Sequence, residues 1–279
     1  MSIIETIVID NLPVEMVQHS YEKLKESNNF NGQKILHPFE TKEILVESSR
    51  KDKKGKIITR TLKELVYTDD FVSDSAKHDI ENAISIEMKH DGACGFIMWN
   101  DEENKYIPYA RYDIKKNGNN EFKDPPIDGI ACEPKPTNST ATHWPHFVPC
   151  VNDKVMYKWN LLAFEEMLKC NKLGDIKTSF TCEYMGKKFN YKKSDGVEVD
   201  SAIVPHGLIT LNIPVELRTM QGFKKICESF PFMEGLIIHG VNNIWKLRRD
   251  AFYDENYKHK KLEWPNDSNK KISEKIMLH

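Results

Sequence analysis

A lysine, a histidine, an aspartate and a glycine follow one another at Lys89, His90, Asp91 and Gly92. A lysine amine is a nucleophile only after it loses its proton, which burial or neighbouring cations favour by lowering its pKa. Attack of such an amine on the α-phosphate of a nucleotide would form a phosphoramide. That reaction needs cations that neutralise phosphates, a divalent metal, and carboxylates that hold the metal and the ribose. Without such partners, the same four residues would indicate only a surface lysine beside a turn.

Three downstream segments contain groups of these kinds. Glu183 lies in TCEYMGKKFNY, before a glycine and two lysines, and Glu234 lies in FMEGLIIHG, before a glycine and an apolar strand. In NIWKLRRDAF, Lys246 and Arg248 alternate, so a strand would direct both cations to one face. Each piece is common by itself. Their occurrence together in this order is much more specific.

The order Lys-x-Asp-Gly, Glu-x-x-Gly, Glu-Gly-apolar and Lys-x-Lys/Arg resembles the covalent nucleotidyltransferase superfamily of RNA ligases, DNA ligases and mRNA capping enzymes. More closely, the chain is similar to the small ATP-dependent 5′–3′ RNA ligases of the vertebrate RNA ligase 1 type. The other shared features are YARYD at 109–113, HWPHFVPC at 143–150, PHG at 205–207 and EGLIIH at 234–239. The likeness extends over about residues 80–250.

The resemblance implies a role for each matching residue. Lys89 would attack the ATP α-phosphate and hold AMP, and Glu234 would help to place a metal ion. The implied ATP- and AMP-binding residues are Met88, Asp91, Gly92, Arg111, Glu183, Phe189, Lys246 and Arg248. Among these, Asp91 and Gly92 would shape the loop, Arg111 would lie near the ribose or the phosphates, and Glu183 would contact the ribose side. Phe189 would stack on adenine, and Lys246 and Arg248 would neutralise the α-phosphate.

Two positions depart from the superfamily pattern. Many members have an arginine five residues after the lysine, where this chain has Cys94. Arg111 is the expected replacement for the ribose contact. The final motif often ends in a second lysine, and here that position is Arg248, whose guanidinium offers a two-pronged contact to phosphate.

The implied activity is ligation of RNA in three steps. Lys89 takes AMP from ATP, AMP passes to an RNA 5′-phosphate, and an RNA 3′-hydroxyl displaces AMP. Mg²⁺, or Mn²⁺ in vitro, is the expected metal, because magnesium usually binds through few carboxylates and substrate oxygens. RNA with 5′-phosphate and 3′-hydroxyl ends is the expected partner. Phosphate contacts would come from Lys187, Lys188, Lys192 and Lys193, although the same lysines are also explained by solubility.

Three alternatives remain open. Capping-type guanylyltransferases and DNA ligases usually place an OB domain after the last motif, and only 30 residues follow Arg249, which favours the RNA ligase. A catalytically inactive RNA-binding protein is the alternative from another class, and the intact chemical residues disfavour it. The roles of His143, His146, His206 and His239 stay undecided, as do the preferred RNA and the oligomeric state.

The elements around these motifs predict an α+β protein. We expect a nucleotidyltransferase fold built on antiparallel sheets with flanking helices and without an OB domain. The patterns predict helices over 13–26, 157–171 and 216–229, and hairpins formed by 43–49 with 57–67 and by 94–99 with 105–114. Strands are expected at 177–184, 202–212, 235–239 and 243–248. Residues 115–150 are predicted to be irregular, with HWPHFVP a packed loop.

Composition places further bounds on the protein. The chain has 279 residues and a net charge of −2, so any nucleic-acid contact must use a local basic patch. The six cysteines show no zinc-like spacing, and there is no signal peptide or apolar span, so a cytoplasmic or nuclear protein without membrane contact is expected. The predicted domains are an N-terminal elaboration packed on the core at 1–75, a nucleotidyltransferase core at 76–253 and a charged C-terminal tail at 254–279.

Overall fold

The structure of the protein is a computed structural model that describes residues 1–26, 32, 34–51, 55–138, 140–189, 199–230, 233–252 and 276–278. Its strands are β1 (Ser2–Ile9), β2 (Leu12–Gln18), β3 (Phe39–Lys51), β4 (Ile57–Phe71), β5 (Ser85–Lys89), β6 (Ala93–Asn100), β7 (Lys105–Lys115), β8 (Ile130–Ala131), β9 (His143–Pro149), β10 (Phe180–Met185), β11 (Ala202–Pro205), β12 (Ile209–Asn212), β13 (Gly235–His239) and β14 (Ile244–Arg248). Its α-helices are α1 (Asp74–Glu81), α2 (Lys158–Cys170) and α3 (Met220–Ser229), and short 3₁₀ turns lie at Tyr21–Glu26, Cys150–Asn152, Val215–Leu217 and Arg249–Ala251.

The strands form two six-stranded sheets and one ribbon. Sheet 1 has the order β1-β2-β12-β5-β13-β14, sheet 2 has the order β11-β10-β6-β7-β9-β8, and β3 pairs only with β4 in the described part of the chain. All of these strand pairs are antiparallel. The predicted α+β class with mostly antiparallel sheets is therefore confirmed.

Sheet 1 has one apolar and one polar face where β5, β13 and β14 lie side by side. Met88, Leu236 and Leu247 pair across the three strands and are buried in the core. Because side chains alternate along a strand, the neighbours of these residues point to the opposite face. That face carries Lys89 and Lys246.

The two hairpins, the helices near 157–171 and 216–229 and the strands near 177–184, 235–239 and 243–248 are confirmed within a few residues. The strand predicted over 202–212 is instead two strands, β11 and β12, which belong to different sheets. The helix predicted over 13–26 is wrong, because Leu12–Gln18 is a strand between β1 and β12. Val14 and Met16 are both fully buried, and an interval of two residues places them on one face of a strand. A 3₁₀ turn then brings Leu24 into the core.

The predicted irregular segment 115–150 also differs from the structure. HWPHFVP forms β9, which pairs with β7 on one side and β8 on the other. Phe147 and Val148 point to opposite faces of this strand and both are buried. Burial on both faces removes the alternation by which a strand is usually recognised.

The domain boundaries stay a prediction, but parts of the two ends share the core with the middle of the chain. β1 and β2 extend sheet 1 beside β12. Most of the predicted tail lies outside the described residues, and Ile276, Met277 and Leu278 are buried, with Leu278 bridging to Ile203. Among the described helices, none has the length and apolar character needed to cross a membrane.

Candidate active site

The register of sheet 1 brings Lys89 to the basic strand β14. Gly235 pairs with Lys89 on one side and with Arg248 on the other, and Ile237 pairs with both Glu87 and Lys246. Positions in register, and those two residues apart, share a face. The side chains of Lys89, Lys246 and Arg248 therefore belong to one face, and Gly235 between them adds no side chain.

The amine of Lys89 contacts a carboxylate. Its Nζ lies 2.5 Å from Oε2 of Glu234, and both side chains are about four-fifths buried. Burial lowers the pKa of Lys89, but the carboxylates of Glu234, Glu183 and Asp91 together raise it above its ordinary value. The carboxylates therefore favour the ammonium form of Lys89, while burial raises the pKa of Glu234.

Glu183 reaches the same place from sheet 2. It lies in the middle of β10, opposite Cys94 of β6, and is buried. Its Oε2 is 3.2 Å from Nε2 of His206, and Nδ1 of His206 is 3.1 Å from Oγ1 of Thr181. His206 thus connects two residues on one face of β10 and fixes the direction of the Glu183 carboxylate.

Gly92 allows the loop after Lys89 to pass close over β10. A Cβ at this position would lie 2.3 Å from the carbonyl oxygen of Tyr184 and 2.8 Å from Cγ of Glu183. These distances leave no space for a side chain. The glycine of the Lys-x-Asp-Gly motif is thus required by the close approach of the two sheets at Lys89 and Glu183.

Cations from four parts of the chain act on Lys246. Its pKa is lowered by burial and by the positive charges of Lys89, Arg248, Lys34 and Arg111. Such a cluster costs free energy unless an anion is bound, and it suits a polyphosphate.

Arg111 lies beside Cys94 in sheet 2. Gly95 of β6 pairs with Ala110 of β7, so the next residues in register are Cys94 and Arg111. The guanidinium Nε donates a hydrogen bond to Asp113 at 3.0 Å. Burial, aided by Glu183, raises the pKa of the Cys94 thiol to about 12, so Cys94 is a neutral group between two charged ones.

Arg249 holds the segment before Glu234 in place. Its Nη1 donates to the carbonyl oxygens of Cys227 and Phe230 at 2.5 and 3.2 Å, and its backbone N–H donates to the carbonyl of Glu234 at 2.8 Å. The side chain is buried. Arg249 therefore positions Glu234 from the end of α3 and points away from the cations of Lys246 and Arg248.

The structure does not bring Met88 or Phe189 to this cluster. Met88 is buried in the core, on the face of β5 opposite Lys89. The ring of Phe189 stacks on Tyr184 with centroids 5.7 Å apart, and Tyr184 points to the face of β10 opposite Glu183. Lys188 lies over the Trp159 ring of α2 at 4.6 Å. Lys192 and Lys193 are outside the described residues.

The other three histidines have different surroundings. Nε2 of His239 is 3.0 Å from Oε1 of Glu87, on the polar face of sheet 1. His146 is buried against the Trp144 ring at a centroid distance of 4.4 Å. Nδ1 of His143 lies 2.7 Å from Oγ1 of Thr142. Only His206 contacts a predicted site residue among these four.

Lys34 is a site residue that the motifs did not predict. It lies well before residues 80–250, the part of the chain that carries the resemblance, and no local sequence pattern indicates it. Its backbone N–H donates to Glu133 at 3.3 Å, and the carbonyl of Leu36 accepts from the N–H of Lys246 at 2.9 Å. Glu87 was also missed, although its position two residues before Lys89 on a strand was a usable signal.

The carboxylates fit magnesium better than a metal with an all-protein ligand cage. Glu234, Glu183 and Asp91 all act on Lys89, yet the described residues include no set of three His, Cys, Asp or Glu side chains arranged to hold an ion. Magnesium usually binds one or two carboxylates, and water and substrate phosphates complete its octahedron. If these carboxylates hold magnesium, water and substrate oxygens must therefore supply its other ligands.

Comparisons with known proteins identify no relative. No family model, no curated protein and no solved structure matches the chain.

Proposed function

We propose that this protein is an ATP-dependent RNA ligase that joins 5′-phosphate and 3′-hydroxyl ends through a lysyl-AMP intermediate, on a nucleotidyltransferase fold. One observation carries the proposal. Lys89 contacts Glu234 and lies within electrostatic reach of Glu183, while Arg111 and Lys246 add positive charge beside it. These residues come from distant parts of the chain and from both sheets, and they are those that the motif order selected.

In the first step, Nζ of Lys89 attacks the α-phosphorus of ATP. The N–P bond forms as the bond to the bridging oxygen breaks, and pyrophosphate leaves with the bonding electrons. The amine must first lose a proton, and Oε2 of Glu234 at 2.5 Å is placed to accept it. Lys246, Arg248 and Arg111 stabilise the charge that develops on the phosphate oxygens.

In the later steps, an oxygen of the RNA 5′-phosphate attacks the phosphorus of lysyl-AMP and the N–P bond breaks, so the amine of Lys89 is regenerated. The 3′-hydroxyl then attacks the activated 5′-phosphate, and AMP leaves. Glu234 would help to hold magnesium, which would supply positive charge to the phosphates when bound, and Glu183 would contact the ribose side of the nucleotide. The cation cluster serves all three steps because each one transfers charge onto a phosphate.

A labelling assay tests the proposal. Incubated with α-labelled ATP and Mg²⁺, the wild-type protein should acquire a covalent label that denaturing gel electrophoresis without an acid step detects, because acid cleaves the P–N bond of a phosphoramide. Lys89→Ala and Lys89→Arg should lose it, because neither supplies an amine. Lys105→Ala is the matched control, since Lys105 is an exposed strand lysine that pairs with Glu103. A label that persists in Lys89→Ala would overturn the assignment.

Two further comparisons define the substrate. ATP should label the protein better than GTP, and the labelled protein should join 5′-phosphorylated RNA rather than the matched DNA. A preference for GTP would favour a capping-type enzyme. Tight RNA binding without any AMP transfer would favour the inactive RNA-binding protein.

A further inference from the structure

The ribbon of β3 and β4 is anchored at one end only. Near its base, Phe39, Val66 and Tyr67 are buried in the core. Beyond Val66 the ribbon continues through about ten more residues per strand, and Leu62 and Leu65 are 43% and 62% exposed. Leu45 and Ile57 are 69% and 64% exposed and lie with Leu65 on one face of the ribbon, whereas Leu62 lies on the other face.

The outer part of the ribbon has open edges. Neither β3 nor β4 pairs with another strand in the described ranges. A two-stranded hairpin is at best marginally stable in water, and an open edge with apolar side chains is a template for another strand. A further strand along β4 would add backbone hydrogen bonds along its outer edge and would contact Leu62.

The sequence of β4 is self-complementary about Leu62. If two copies of β4 pair antiparallel with Leu62 on the two-fold axis, Arg60 of one copy lies opposite Glu64 of the other. The arrangement repeats on the other side of the axis. Arg60, Leu62 and Glu64 share one face because side chains alternate. Since Val46 pairs with Leu62 inside the ribbon, the row across the four strands is Val46, Leu62, Leu62 and Val46.

Other registers along the outer part of β4 either oppose like charges or, when centred on Thr59 or Thr61, pair no opposite charges. Pairing centred on Arg60, Lys63 or Glu64 places two like charges directly opposite each other on the axis, which destabilises a sheet. Pairing through β3 centred on Leu45 would oppose Glu43 and Glu47. The register centred on Leu62 instead places opposite charges on both sides of an apolar row.

We propose that the outer part of β4 is a self-association surface, on which a second copy of this chain pairs edge to edge around Leu62 to form a four-stranded sheet. A single strand pair with few covered leucines makes a small interface, so we expect a dimer that dissociates on dilution. The proposal does not depend on the function of Lys89, whose cluster lies on other strands.

Charge reversal tests this register. In sedimentation velocity over a concentration series, the wild-type protein should pass from monomer to dimer. Arg60→Glu and Glu64→Arg should each raise the dissociation constant about tenfold, because each variant places two like-charge pairs across the axis. The double variant Arg60→Glu with Glu64→Arg should restore the wild-type value, since it exchanges the partners. Lys115→Glu, on the exposed end of β7, is the control charge reversal.

The outcomes separate clearly. The proposal is overturned if the wild-type protein stays monomeric up to about 100 μM. It is also overturned if the single variants associate as the wild type does, or if the double variant does not recover the wild-type dissociation constant. The lysine-rich sequence KDKKGK at 51–56, between β3 and β4, makes RNA the competing partner. Loss of RNA binding in Arg60→Glu, with association unchanged, would reassign the ribbon to RNA and also overturn the proposal.

AMP labelling should be normal in all four variants. Failure of the self-association proposal is therefore distinguishable from failure of the ligase assignment.

Discussion

Lys89 is surrounded by charges of both signs, and their balance determines when its amine can react. Glu234, Glu183 and Asp91 stabilise the ammonium form, while burial opposes it. At Lys246 the surroundings instead favour the neutral amine, since burial and four cations lower its pKa. A nucleotide bound here would bring negative charge to the cations, and its magnesium would bring positive charge to the carboxylates. The pKa of Lys89 and that of Lys246 would therefore both change.

The pH dependence of AMP transfer should reveal this environment. Glu183→Gln removes one carboxylate that raises the pKa of Lys89, so the amine loses its proton at lower pH. We expect the midpoint of the rate of label formation against pH to move downward, whatever happens to the maximal rate. Glu216→Gln, in an outlying 3₁₀ turn, is the control. A midpoint that stays at the wild-type pH would show that Glu183 does not act on Lys89.

The sequence predicted some site residues better than others for a physical reason. Lys89, Glu183 and Glu234 occur in motifs whose residue types are dictated by the chemistry, and the structure brings them together. Met88 and Phe189 were assigned from their neighbours in the motifs, and alternation along β5 and the stacking on Tyr184 place them elsewhere. Lys34 was missed because its proximity to Lys246 arises from tertiary structure alone.

At the scale of elements, the hairpin of β13 and β14 carries the cations, and α1 fixes its turn. The carboxylate of Asp79 accepts hydrogen bonds from the backbone and side-chain nitrogens of Asn242 and Asn243 and from Nε1 of Trp245, at 2.9 to 3.1 Å. Asp79 is fully buried. Every donor that meets it comes from the hairpin, so this one carboxylate orients β14 relative to the rest of sheet 1.

Asp79→Asn should destabilise the protein by about 2 to 3 kcal/mol. The amide nitrogen of asparagine would face N–H donors, and the remaining oxygen cannot accept all five bonds. Thermal unfolding at neutral pH measures the effect. Asp74→Asn, which changes an exposed carboxylate of the same helix, should have a small effect by comparison.

The same carboxylate predicts how stability depends on acid. Burial would raise the pKa of Asp79, but the hydrogen bonds from Asn242, Asn243 and Trp245 lower it to about 2, against an ordinary value of 3.8. Because the folded pKa is the lower one, the stabilisation is complete above pH 4 and is lost as the pH falls toward 2. The melting temperatures of wild type and Asp79→Asn should therefore converge over that interval. A constant difference would contradict the assignment.

How well the sequence predicts each helix or strand depends on whether one or both of its faces are buried. The hairpins and the two amphipathic helices show the periodicity of a half-buried element, and the sequence predicts them correctly. β2 and β9 carry buried residues on both faces, so their patterns resemble a helix or an irregular segment. The pairing of β12 with β2 and β5, which joins the first strands to the site, has no local signal.

At the scale of the whole molecule, the candidate site lies where the two sheets approach each other. β5 and β14 of sheet 1 contribute Lys89 and Lys246, β7 of sheet 2 contributes Arg111, and the segment 34–36 connects Glu133 to β14. The chain has a net charge of −2, so this concentration of cations is local. A polyphosphate bound there would interact with both sheets at once.

A polyphosphate bound between the sheets should raise the melting temperature of the protein. The size of this rise should depend on Arg111, the cation that sheet 2 contributes. In a Lys89→Ala background, where no covalent AMP forms, ATP with Mg²⁺ should raise the melting temperature through binding alone. Adding Arg111→Ala should reduce this rise, because it removes a phosphate contact from sheet 2. Lys115→Ala, at the exposed end of the same strand, should leave it unchanged. If the two alanine variants respond to ATP equally, Arg111 is not part of the nucleotide site, and the ribose or phosphate contact expected of it in place of Cys94 must come from another residue.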